Sequence, residues 1–124
     1  MADPVIPPSL KAPVARLVRA LAPTRIVLFG SYAKAEAQAG SDIDLLVITD
    51  AAARPEAATR RARQLVAPSF PPIDVVLCTP EDAENAAGLR SPFLQSILES
   101  GITLYTRRYE RPPLRSNQGP AANM

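Results

Sequence analysis

The chain has 124 residues, 47% of them hydrophobic and 21% charged, and 14 Lys+Arg against 12 Asp+Glu leave a net charge of +2. These figures describe an ordinary globular chain with one hydrophobic core; they exclude a disordered or fibrous protein and leave no room for a catalytic domain plus a separate substrate domain. So mild a charge does not by itself indicate nucleic acid, and no direct contact with nucleic acid is expected.

Residues 1–8 carry Pro4, Pro7 and Pro8 and read as a flexible N-terminus. They lack the basic start and apolar run of a signal peptide, and no apolar stretch approaches the ~18 residues that span a bilayer, so a cytoplasmic protein without membrane attachment is expected. The domain is expected over residues 9–106. A helix starts at Ser9, with Leu10, Val14, Leu17, Val18 and Leu21 recurring at three- and four-residue steps, Pro13 in its first turn and Pro23 closing it. "RIVLFG", residues 25–30, is a buried strand ending in glycine, and "SYAKAEA" then reads as a short helix with Ser31 as N-cap. After a turn at Gly40-Ser41, "DIDLLVIT" over residues 42–49 is a central strand, apolar on both faces.

Residues 54–67 form a helix with Pro55 near its start and Ala58, Ala62, Leu65 and Val66 as its apolar stripe, stopped by Pro68, Pro71 and Pro72. "IDVVLCT" is a third strand, and "TPEDAE" opens a helix with Thr79 as cap and proline at the first position. "SPFLQSILESG" repeats that grammar with Phe93, Leu94, Ile97 and Leu98 as its apolar face, and "ITLYT" is an edge strand. Residues 107–124 are basic, proline-containing and expected to be disordered. Alternating helices and strands with short connections predict an α/β or α+β fold around a small sheet of three to four strands flanked by helices.

Two arginine groups, Arg60, Arg61 and Arg63, and Arg107, Arg108, Arg111 and Arg115, read as solvated faces or, alternatively, as docking surfaces for an acidic partner or RNA. The lone Cys78 follows "VVL" in a chain without histidine, which reads as a buried, inert thiol in a reducing compartment.

The chemistry concentrates between residues 30 and 74. Side chains at i and i+2 of a strand share a face about 6.6 Å apart, so Asp42 and Asp44 project in parallel and can hold a hard cation such as Mg²⁺. Asp74 puts one charge beside an apolar strand; it is either a solvent-open strand end or, if that strand neighbours the first, a third carboxylate suited to two Mg²⁺ ions about 3.5–4 Å apart. Gly30-Ser31 at a strand-to-helix turn offers free amides and a hydroxyl to a phosphate, a weak signal alone. Together these parts suit phosphoryl or nucleotidyl transfer, and no P-loop motif is present.

Gly30-Ser31, ten residues, then Asp42-Ile43-Asp44 resembles the G-S-x10-D-x-D signature of the DNA polymerase β-like nucleotidyltransferase superfamily. "GSYAKAEAQAGSDIDLLV" is similar to its minimal nucleotidyltransferase (MNT) branch, with Asp74 where that family places its third carboxylate, and the resemblance covers roughly residues 10 to 105. It implies Gly30 and Ser31 binding the β- and γ-phosphates of a nucleoside triphosphate, Asp42 and Asp44 ligating both metals, and Asp74 ligating the catalytic metal and helping deprotonate the incoming hydroxyl. The chain departs from the family at Ala35, where glycine is frequent, and at Lys34, where arginine is frequent. Because alanine favours helix, Ala35 is expected to change that loop or helix end.

MNT-like chains of this length resemble the antitoxin half of toxin–antitoxin pairs whose partner is a HEPN ribonuclease. The resemblance implies Mg²⁺-dependent transfer of AMP from ATP to a hydroxyl, a tyrosine of the toxin, within a hetero-oligomer. Two other readings share the sequence: transfer to a small-molecule hydroxyl, and a non-catalytic antitoxin that neutralises its partner by binding.

Overall fold

The computed structural model of the chain describes residues 6–38, 40–86 and 91–107. Of the expected flexible start over residues 1–8 and the expected disordered tail over residues 107–124, residues 1–5 and 108–124 lie outside the described residues, while Pro8 stands in a 3-10 turn and the Arg107 amide donates to the Thr24 carbonyl.

A 3-10 turn, Pro8–Leu10, leads into helix α1, Lys11–Leu21. Pro13 is its third residue, where the missing N–H would find no intrahelical acceptor, so the proline costs the helix nothing and its ring is buried. The helix ends at Ala22 in the left-handed conformation, and Pro23 follows. Strand β1, Arg25–Phe29, runs to Gly30; strand β2, Ile43–Ile48, returns antiparallel to it. A second 3-10 turn, Asp50–Ala53, which the sequence did not announce, is capped by the Thr49 hydroxyl accepting from the Ala51 amide. Thr49 is buried and its hydroxyl also donates to the Leu21 carbonyl at 2.7 Å, so neither polar group is left unpaired.

Helix α2, Pro55–Val66, crosses back so that strand β3, Ile73–Cys78, pairs parallel with β2. Helix α3, Pro80–Glu84, begins with a capping box: the Asp82 amide donates to the Thr79 hydroxyl, and the Asp82 carboxylate accepts from the Thr79 amide. Helix α4, Pro92–Ser100, is capped by Ser91, and strand β4, Ile102–Thr106, closes the sheet beside β1. The order β3-β2-β1-β4 makes the sheet mixed, with β2 and β1 central, in keeping with the polymerase β-like nucleotidyltransferase fold. No helix among the described residues is long and apolar enough to cross a membrane.

Strand alternation sorts the side chains onto two faces. Ile26, Leu28, Ile43, Leu45 and Val47 pack with Leu10 and Leu17 of the N-terminal segment and Ala62 and Val66 of α2. Val27, Leu46, Ile48 and Cys78 pack on the other face with Ala86 and with Leu94 and Ile97 of α4. Burying a side chain such as Leu45 or Leu46 contributes roughly 2 kcal/mol, which fixes the register of β2 because a one-residue slip would exchange the two faces.

Two expectations change. The segment after Ser31 is a single turn: the Lys34 amide donates to the Gly30 carbonyl at 3.2 Å, the Glu36 amide to Ser31 at 2.8 Å and the Ala35 amide to Tyr32 at 3.3 Å. With Ala35 at φ +58° this is a Schellman ending, which stops a helix before it has formed a second turn. Phe93, assigned to the apolar face of α4, is 58% exposed, because it occupies the second helical position and overhangs the edge of the core.

Candidate active site

The face covered by α3 and α4 is left uncovered at one end, and there the acids emerge. In the parallel ladder Asp44 of β2 lies directly opposite Asp74 of β3, so both side chains leave the sheet on the same side, between strands about 4.8 Å apart. Asp42 precedes β2 by one residue and stands two residues from Asp44. On the other side of β2, Asp44 is the partner of Phe29, the last residue of β1, so Gly30 follows at the same level.

Asp44 is half-buried and Asp42 and Asp74 are exposed. The Asp44 carboxyl is held above its ordinary 3.8 first by loss of hydration and then by the charges of Asp74 and Asp42. Its carboxylate accepts no hydrogen bond from a described residue. Among the described residues no three acidic or thiol groups are gathered at chelating distance. Three like charges close to one another repel, and Asp42 and Asp74 are exposed to solvent.

Gly30 is where glycine is required twice over. Its φ is +77°, and a Cβ there would collide with the Asp44 Oδ2 and lie 3.2 Å from Cγ. Beyond it, the amides of Ser31, Tyr32 and Ala33 donate to no acceptor among the described residues. The candidate element for an anion is therefore a row of three amides on one turn, not the start of a helix with its dipole. Gly40, at φ +82°, and the reciprocal Gln38–Ser41 bonds, both 2.9 Å, bring the chain back into β2.

Free amides and a hydroxyl beside a glycine, facing hard oxygen donors whose repulsion a cation would relieve, fit a magnesium-bound triphosphate. The sequence reading named Gly30, Ser31, Asp42, Asp44 and Asp74, and the fold places all five at this end of the sheet. Free amides after Gly30 were expected at a helix start and are those of Ser31, Tyr32 and Ala33 on this turn; the exposed ring of Phe93, whose centroid lies 5.8 Å from that of Phe29 in an edge-to-face contact, was not expected.

Other features lie apart. Arg60, Arg61 and Arg63 project into solvent from α2. Arg107 binds the Ala22 carbonyl through its guanidinium, while Arg108, Arg111 and Arg115 lie outside the described residues. Cys78 is buried, with its thiol pushed up to about 11 by loss of hydration and by Asp82, as an inert core residue should be.

No curated protein matches the chain. The family model described as "Nucleotidyltransferase domain" matches residues 13–117, which takes in the whole sheet and every residue of the site. With a glycine-serine turn after β1, acids on β2 and β3, and that match over most of its length, the chain belongs to the nucleotidyltransferase domain family.

Proposed function

We propose that the protein is a Mg²⁺-dependent adenylyltransferase acting on a protein hydroxyl, a tyrosine of a HEPN ribonuclease toxin, and so serves as the antitoxin of the pair. The observation that carries the transferase part is the register of Asp44 against Asp74 with Gly30 packed on the Asp44 carboxylate. Family membership supports nucleotidyl transfer; the protein acceptor rests on the resemblance to MNT antitoxins, as does the choice of ATP.

In this reading the amides of Ser31 to Ala33 and the Ser31 hydroxyl hold the β- and γ-phosphates, where glycine lets them approach the backbone. Asp42, Asp44 and Asp74 would hold the Mg²⁺, which when bound neutralises charge on the phosphates and on the leaving pyrophosphate. Asp74, exposed on the edge strand β3, would accept the acceptor's hydroxyl proton. The oxygen attacks the α-phosphorus, a P–O bond to AMP forms, and the bond to pyrophosphate breaks. Positioning and charge supply most of the rate in such chemistry.

The test is intact-mass measurement of the protein encoded by the adjacent gene, expected in this reading to be a HEPN toxin, after incubation with the chain, ATP and Mg²⁺. A nucleotide-sized increment on a tyrosine is expected. An unmodified HEPN protein that the chain nevertheless inhibits would replace this reading with neutralisation by contact.

A further inference from the structure

Phe93 is an exposed ring beside the site that the mechanism above leaves unused. It stands in the first turn of α4, anchored by the Ser91 cap and by an edge-to-face contact with Phe29 at 5.8 Å, and 58% of it faces solvent. An exposed aromatic ring fixed against a second ring beside a site offers a platform that suits a flat partner.

Two flat partners are conceivable, the nucleobase of the donor and the aromatic ring of the acceptor, and the sheet order separates them. The phosphate-binding turn follows β1, whereas Asp74, which would accept the acceptor's proton, is on β3, with β2 between them. Phe29 is the residue before that turn and pairs with Asp44, so Phe93, in edge-to-face contact with Phe29, belongs to the β1 side. The other exposed phenylalanine, Phe70, precedes β3 and lies 3.7 Å from where a Cβ of Gly40 would be, on the acceptor side.

We infer that Phe93 is the platform on which the base of the bound nucleoside triphosphate stacks. The inference rests on the proposed transferase reading and adds a positioning residue and a specificity to it: stacking is indifferent to hydrogen-bonding edges, so Phe93 favours a nucleotide over bare polyphosphate without choosing among purines.

The experiment compares binding of ATP, GTP and inorganic tripolyphosphate, each with Mg²⁺, to the wild type, Phe93→Ala and Phe93→Trp. Because the chain has no tryptophan, Phe93→Trp also introduces the sole indole fluorophore. Phe93→Ala is expected to weaken ATP and GTP by about 5- to 100-fold and leave tripolyphosphate unchanged. Phe93→Trp is expected to restore nucleotide binding, with fluorescence quenched by ATP and not by tripolyphosphate, and the KM for ATP should move more than kcat. Equal weakening of all three ligands, or unchanged ATP binding with reduced transfer to the acceptor, would overturn the inference and leave the transferase reading standing. A wild type that binds none of the three with Mg²⁺ would overturn both.

Discussion

Replacing Asp44 by asparagine separates what the site does for stability from what it does for chemistry. Asp44 is half-buried, faces Asp74 across adjacent strands, has Asp42 two residues away and accepts no hydrogen bond from a described residue, so its charge gains nothing from the metal-free fold. Two carboxylates about 5–6 Å apart repel by roughly 0.7 kcal/mol even at the dielectric of water. Like charges opposite each other in a sheet destabilise by roughly 0.2–1 kcal/mol. Asn has the same shape, so Asp44→Asn is expected to raise metal-free stability by about 1 kcal/mol, or roughly 4 °C in Tm for a domain of this size.

The pH dependence carries the same signature. The folded carboxyl lies above its ordinary 3.8, so the folded protein holds that proton more tightly than the unfolded chain. Its contribution is present below 3.8 and is lost as pH rises through the raised folded value. In metal-free buffer, urea unfolding across that range should show a downward component in the wild type that Asp44→Asn lacks. Adding Mg²⁺ with ATP should reverse the ranking, because the carboxylate then has a counter-charge and the amide ligates Mg²⁺ poorly. Nucleotide transfer should fall to background. A metal-free Asp44→Asn protein less stable than the wild type, or one that transfers nucleotide normally, would refute this account.

Three further outcomes are expected. Gly30→Ala must accept a left-handed φ and displace the Asp44 carboxylate, costing about 2 kcal/mol by thermal unfolding and abolishing transfer; combined with Asp44→Gly, which removes the obstruction, its stability cost should be less than additive. Ala35→Gly should raise Tm by a few degrees, since Ala35 holds φ +58° at a cost of about 1–2 kcal/mol that is only partly offset by the greater chain entropy of unfolded glycine. Cys78, with its thiol raised from 9.0 to about 11, should react with iodoacetamide at pH 8 about a hundredfold more slowly in the folded protein than in urea, and its contribution to stability should decline as pH rises from 9 towards 11.

Much of the site is legible from local chemistry. An apolar β-branched run ending in glycine, a D-x-D opening an apolar strand, and proline after a Ser or Thr cap are signals written over a few adjacent residues, and "RIVLF", "IDLLVI", "IDVVLC" and the caps at Thr79 and Ser91 fold accordingly. The turn after Ser31 reads as a helix in the sequence because Ala35, Glu36 and Ala37 are good helix formers, but propensity is a small free energy per residue. The packing of Tyr32 and Ala33 against the core favours one turn and an early reversal, holding Ala35 in a backbone region that alanine disfavours by itself.

What the sequence determined by itself was the set of parts: strands, caps, three acids and a glycine-serine bend, each specified by its own few neighbours. Only the tertiary structure decided which parts meet. The parallel placement of β3 beside β2 puts Asp74 opposite Asp44, and the end of the sheet left uncovered by α4 makes that pair accessible while exposing Phe93. These outcomes depend on strand order and on which face each helix covers, and both are set by burying the apolar surface of the whole chain at once, a quantity no short segment contains.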